Sequence, residues 1–240
     1  MKECIKVQHI TKKYGERIVV NDLNFTVKTG EVFGLLGHNG AGKSTTIDCI
    51  LGLTKVNQGK ATILDQNAKK DRKKLFEKVG VQLQHSHYQT NIKVNEICEE
   101  MSALYKHPTD YQDLLKQFQL ESFINHKVNE LSGGEKQKLS VLLALIPHPE
   151  VIFLDELTTG LDVAARREVW QILKKLKEEG MTIFLTTHYM EEAENLCDHI
   201  LILKEGQMVI EGTVQEIVEK SPYKSLEEAY LWYTGEENLV

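Results

Sequence analysis

The sequence predicts an α/β fold in three parts: a core built on a parallel sheet, an N-terminal antiparallel β subdomain and an inserted helical subdomain. Three observations carry this expectation. The octapeptide Gly37-His38-Asn39-Gly40-Ala41-Gly42-Lys43-Ser44 places four free positions between two glycines, followed by Lys-Ser, the pattern of a loop that cradles phosphates. From Val151 onward, apolar strands alternate with helical stretches, which argues for βαβ units on a parallel sheet. Between these segments, residues from about 86 to 145 are strand-poor and carry apolar positions at helical spacing.

The elements follow in order. Residues 1 to about 36 alternate apolar and polar, as in Ile5-Lys6-Val7 and Leu23-Asn24-Phe25-Thr26-Val27, with turns at Tyr14-Gly15 and Thr29-Gly30, and so predict antiparallel strands. Val32 to Leu36 reads as a buried strand entering the glycine loop. Ser44-Thr45 opens a helix running to Leu51, with Ile47, Ile50 and Leu51 on one face. Strand, glycine loop and helix is the arrangement a bound polyphosphate needs: the glycines let backbone N–H groups converge, and the helix N-terminus adds its positive end. Lys43 can reach the outer phosphates and the Ser44 hydroxyl can ligate Mg2+. A strand is expected over Val79 to Gln84, and helices over Asn95 to Leu104 and Tyr111 to Leu120. Ser132-Gly133-Gly134-Glu135 has the form of a capping box ahead of a helix from Lys136 to Ile146. Val151 to Leu154 is a strand, Val163 to Glu179 a helix stopped at Gly180, and Thr182 to Leu185 another strand. The expected organisation is one domain over 1–240. About 1–85 and 146–220 form the core, about 86–145 the helical subdomain, and about 221–240 a C-terminal tail.

Bulk properties agree. The 240 residues are 41% apolar and 27% charged, ordinary globular values that permit a substantial core. A net charge of −6 opposes nucleic acid or an anionic membrane surface as the main partner. No apolar run approaches a membrane span; the longest, Leu139 to Ile146, stops at Pro147, and Met1-Lys2-Glu3-Cys4 has no signal-peptide core behind it. Cys4, Cys49, Cys98 and Cys197 are scattered without a C-x-x-C, as expected for reduced thiols in the cytosol.

Two acids stand out. Asp155 ends an apolar strand, where a carboxylate beside a triphosphate would hold Mg2+ directly or through water. Glu156, one residue further, is the carboxylate expected to polarise the attacking water. Leu131-Ser132-Gly133-Gly134-Glu135, then Val151 to Glu156, Gly160-Leu161-Asp162 and Thr186-Thr187-His188 resemble, in order and spacing, the signature, Walker B strand, D-loop and switch histidine of the ATP-binding cassette (ABC) ATPases. The resemblance runs from Tyr14 to about Gly212.

What the resemblance implies is specific. Gln84 would sit where the family's Q-loop glutamine contacts Mg2+ and the attacking water, with Gln82 as an in-register competitor. His188 would contact the γ-phosphate, and Tyr14 would stack on adenine. The other eight histidines read as surface residues of loops or helices, and His85-Ser86-His87, without Cys or acidic neighbours, is not read as a metal pair. Ser132 and Gly134 of the signature, with Asp162 of the D-loop, would serve the ATP of a second cassette in a head-to-tail dimer, taken as a homodimer.

Two positions depart from the family pattern. Glu135 replaces the common Gln, and either closes the capping box. Leu157 replaces the usual Pro and Thr159 the common Ser, which leaves the turn after Glu156 without a residue that pre-sets it. The expected function is the ATPase subunit of a membrane transporter, peripheral on the inner face of the cell membrane and docked near Gln84 and His85 to Tyr105 on a separate polytopic permease. His188-Tyr189-Met190-Glu191-Glu192-Ala193-Glu194 and the stretch Ser225 to Gly235 resemble bacterial exporters for drugs, peptides or polysaccharides. An importer subunit is the alternative within transport. A soluble ABC ATPase acting on ribosomes or DNA is opposed by the single P-loop, the absence of sustained heptads between Lys43 and Leu131, and the acidic balance.

Overall fold

The computed structural model describes residues 2–84 and 88–236, so the reading of His85-Ser86-His87 and part of the expected docking segment lie outside the described residues. Strands β1 (Glu3–Tyr14) and β2 (Arg17–Lys28) form an antiparallel hairpin, and β3 (Val32–Leu36) runs into the glycine loop ahead of α1 (Lys43–Ile50). Strand β4 (Gln58–Ile63) then returns to pair with the free edge of β1, giving a three-stranded sheet ordered β2-β1-β4. The antiparallel layer is therefore not purely N-terminal. Its third strand comes from beyond the P-loop, with Ile5 opposite Ile63 and Val7 opposite Ala61.

The main sheet adds α2 (Arg72–Leu75), β5 (Val79–Gln82), β6 (Val151–Asp155), β7 (Thr182–Thr187), β8 (His199–Lys204) and β9 (Gln207–Gly212), in the order β5-β6-β7-β3-β8-β9. All neighbours are parallel except the edge strand β9. Strands β3, β6 and β7 are buried at every position, as central parallel strands covered on both faces must be. Phe25 of the antiparallel layer stacks on Phe33 with centroids 5.2 Å apart, and Phe33 on Phe184 at 5.6 Å, so aromatic rings bond the two sheets.

The inserted helices are α3 (Val94–Ala103), α4 (Tyr111–Gln117) and α5 (Gly133–Leu145), with 3-10 turns at Glu121–Phe123 and Val128–Glu130. Helix α5 leans on β5 so closely that a Cβ at Gly80 would meet the Ala144 carbonyl oxygen at 2.2 Å, which explains the glycine. After β6 come α6 (Val163–Glu178), then α7 (Met190–Leu196) following β7. Helices α8 (Val214–Glu219) and α9 (Leu226–Thr234) close a small C-terminal core with Ile217, Leu226 and Tyr230.

Three local expectations need correction. Strand β5 ends at Gln82, not Gln84: the Gln82 side chain is buried and donates to the Leu83 carbonyl, while Gln84 has left the sheet. Two further histidines lie in strands. His9 is an exposed residue of β1 hydrogen-bonded to Asp22, whereas His199 of β8 is half-buried between Glu31 and Glu211. The bond to Glu211 raises the His199 pKa above its ordinary value, so His199 is not a plain surface histidine.

Candidate functional site

The cleft is built at the C-terminal ends of β3, β6 and β7, where open α/β sheets bind their ligands. Gly42 caps α1 with φ +108, a left-handed conformation that glycine adopts freely, and a Cβ there would meet the Val19 carbonyl oxygen at 2.7 Å. No side chain caps α1, so its first-turn amides are left for an anion. A cleft of about 380 Å³ lies over this turn, lined by Tyr14, Arg17, Val19, Asn39, Gly40, Gly42, Lys43, Ser44, Thr45, Gln84 and Glu156.

Glu156 is its electrostatic centre. The buried Lys43 ammonium pairs with Glu156 Oε1 at 3.0 Å while donating to the carbonyls of Gly37 at 2.7 Å and His38 at 3.2 Å. Glu156 Oε2 accepts from the Gln84 amide at 3.1 Å, and His188 Nδ1 stands 3.8 Å from the same oxygen with no hydrogen-bond partner. Gln84 lines the cleft and Gln82 does not. The Glu156 backbone has φ +49, and its N–H donates to the Thr186 hydroxyl at 3.0 Å. Asp155 beside it is buried and accepts from the Thr186 hydroxyl. Burial raises its pKa above the ordinary 3.8, against the lowering effect of hydrogen bonds from Thr186 and Ser44. Tyr14 stands half-exposed at the rim with the Lys12 ammonium 4.4 Å from its ring centre.

The Ser44 hydroxyl, the Asp155 carboxylate and the Gln84 amide offer the hard oxygen donors Mg2+ prefers. Among the described residues no cluster of three or more His, Cys, Asp or Glu could hold a metal.

Ser132, Gly134 and Asp162 are not in this cleft. They line a second one, of about 410 Å³, between the N-termini of α5 and α6. Ser132 Oγ accepts from the Glu135 N–H at 3.3 Å and Glu135 returns the bond at 2.7 Å, so the expected capping box is present. The Asp162 carboxylate caps α6 through the Ala165 N–H at 3.0 Å. Sequence reasoning missed Arg17 and Val19. The signal was the tight turn after Tyr14, which pairs Tyr14 with Arg17 across the hairpin and brings both to the cleft mouth.

A P-loop with a buried acid pair at the end of the parallel strand two places along the sheet, and a second glycine-rich helix start elsewhere on the surface, defines a nucleoside triphosphatase of the cassette type. The ABC transporter family profile matches residues 20–159. Nod factor export ATP-binding protein I of Rhizobium johnstonii is 41% identical over 222 residues, covering 90% of this chain and 71% of the relative. Its namesake in Burkholderia lata is 39% identical over 221 residues, covering 90% and 72%. The structure of the ATP-binding subunit of an ABC transporter superposes with a TM-score of 0.87 at 27% identity, covering 96% of this chain and 99% of that one. The dimeric structure of a bacterial ABC transporter cassette does so with a TM-score of 0.77 at 30% identity, covering 87% and 98%. The chain belongs to the ABC transporter family, as the ATP-binding subunit whose hydrolysis is coupled to transport. None of its described helices is long and apolar enough to cross a membrane.

Proposed function

We propose that the chain powers a bacterial exporter from the inner face of the cell membrane, as a head-to-tail pair of identical cassettes that sandwich two Mg2+·ATP. The observation that carries this reading is the separation of two phosphate-competent helix starts: the cleft over α1 and the cleft at Ser132 and Gly134 share no lining residue. A second copy can bring the Ser132 side of one chain to the Lys43 side of the other. The export direction is supported by the relatives' name and by the His188-to-Glu194 segment.

In the mechanism we propose, Lys43 is the first group to change partner. Its ammonium is paired with Glu156. An arriving polyphosphate draws that ammonium to itself, which frees Glu156 Oε1 to accept a hydrogen bond from the attacking water. Ser44, Asp155 and Gln84 would hold Mg2+, which neutralises charge on the β- and γ-phosphates when bound. His188 Nδ1, unpartnered beside Glu156, would stabilise the γ-phosphate, while Tyr14 would stack on adenine and Gly37 to Thr45 would cradle the phosphates. Asp162 would act at the dimer boundary. An apolar groove of about 260 Å³ lined by Leu53, Phe76, Leu83, Met101 and Tyr105, next to Gln84, is the surface proposed to receive the membrane subunit.

Affinity purification from mild detergent tests the assignment. One polytopic membrane protein should co-purify and be lost on Leu83→Glu or Tyr105→Glu; recovery of ribosomal proteins or DNA in its place would contradict it.

A further inference from the structure

One oxygen of Glu192 collects two hydrogen bonds in the protein interior. Oε1 accepts from the Thr158 hydroxyl at 2.8 Å and from the Trp170 indole N–H at 3.0 Å, and Glu192 is only 3% exposed. The three residues come from three places: the turn after β6, the middle of α6 and the first turn of α7. A carboxylate this deep is an expensive way to fill space, and it persists only when charge-assisted bonds compensate its desolvation.

What those bonds hold is a strained turn at the cleft. Glu156, two residues before Thr158, is in the left-handed region at φ +49, which a residue with a Cβ keeps only where its surroundings over-determine it. Residue 157 is Leu, so the covalent chain does not pre-set the turn. Among the described residues two backbone bonds close it locally, Thr159 N–H to Glu156 O and Leu161 N–H to Thr158 O, both at 3.2 Å. On its other side Glu192 lies in the first turn of α7, four residues after His188, which precedes the helix N-cap Tyr189. That segment has a second tie to α6: the Arg166 guanidinium lies 4.2 Å from the Tyr189 ring centre, and the Tyr189 and His188 rings are 4.1 Å apart.

We infer that Glu192 is a positioning residue for hydrolysis: through Thr158 and Trp170 it locks the strained Glu156 turn to the start of α7, just after His188, fixing their spacing without touching nucleotide. The inference rests on the proposed roles of Glu156 and His188. Its subject is a different contact, in the place where the family's proline would otherwise set the turn.

The test is steady-state ATP hydrolysis by Thr158→Val, which replaces the hydroxyl with a methyl of the same shape, beside Thr158→Ser, Trp170→Phe and the parent. Neither Thr158 nor Glu192 lines the cleft. The KM for ATP should therefore stay within about twofold while kcat falls roughly 10- to 100-fold, the scale of a small misplacement of reacting groups. Thr158→Ser restores the donor and should bring kcat back to within about threefold of the parent, and Trp170→Phe should fall between the two. A kcat per folded molecule equal to the parent in both Thr158→Val and Trp170→Phe would overturn the inference even if both melt earlier, because the contact would then be merely structural. So would a rise in KM with kcat unchanged. If the parent itself does not hydrolyse ATP, the reading of the site fails; if the parent is active and Thr158→Val matches it, only the role of Glu192 fails. Should Thr158→Val not fold, Trp170→Phe against Thr158→Ser decides by the same criteria.

Discussion

Replacing Lys43 by Met deletes the ammonium and keeps most of the stem, so the nucleotide-free protein reports the Lys43–Glu156 pair without a large cavity. The pair is 3.0 Å long and its side chains are 3% and 6% exposed. Removing one partner of so buried a pair costs about 3–5 kcal/mol, chiefly because the surviving charge has lost its compensation. Glu156 keeps the Gln84 hydrogen bond on its other oxygen, which places the expected loss near the lower limit. At about 2–4 °C per kcal/mol for a chain of this size, the melting temperature should fall by roughly 6–12 °C. Glu156→Gln should be milder, since Lys43 retains the Gly37 and His38 carbonyls. The double variant should recover most of the loss, because the stranded carboxylate is gone. Calorimetry of the four proteins without nucleotide measures this cycle. A Lys43→Met variant that melts with the parent, or a double variant that melts below Lys43→Met, would refute the reasoning.

Three other outcomes are expected. His188→Ala should keep nucleotide binding and lose roughly 10²-fold in turnover, the scale of one lost transition-state contact, measured by phosphate release; weakened binding with turnover per bound ATP unchanged would make His188 structural. Ser132→Arg should bind ATP as a monomer by fluorescence titration yet fail to hydrolyse it, and hydrolysis at the parent rate would reject the shared site. Asp155 has a folded pKa raised above 3.8 by burial, so the folded state holds its proton more tightly than the unfolded chain does, and stability is lost as pH rises through the folded pKa. Nucleotide-free Asp155→Asn should therefore melt above the parent at neutral pH, with the gap closing as pH falls through that titration, while Mg2+-dependent turnover is lost; an Asn variant melting below the parent at neutral pH would contradict the cause assigned.

The parts legible in the sequence are those where one residue type is forced by geometry. Gly42 must be left-handed beneath Val19, strands β3, β6 and β7 are apolar throughout because both faces are covered, and Ser132 and Glu135 cap α5 by local bonds. What sequence reading missed depends on partners distant in the chain. The return of β4 to β1 joins residues on either side of the P-loop, and the antiparallel β9 follows β8 through a tight turn at Glu205 and Gly206. Leu157 suggested a turn without its usual restraint, but the restraint is Glu192, thirty-odd residues on, where nothing local marks it. His199 likewise becomes half-buried only because β9 and the turn before β3 bring Glu211 and Glu31 to it.

The central claim is that Glu156 aligns the attacking water in a site completed by a second copy. Glu156→Gln keeps the shape and the Gln84 contact region but removes the carboxylate, so chemistry should slow far more than binding. If each ATP bridges the Lys43 side of one chain and the Ser132 side of another, blocked hydrolysis should trap the pair. The measurement is size-exclusion chromatography of Glu156→Gln with Mg2+ and ATP, read beside phosphate release. The account requires a dimer with ATP, a monomer with ADP and a parent that elutes mainly as a monomer; a variant that turns over ATP like the parent and stays monomeric would contradict it.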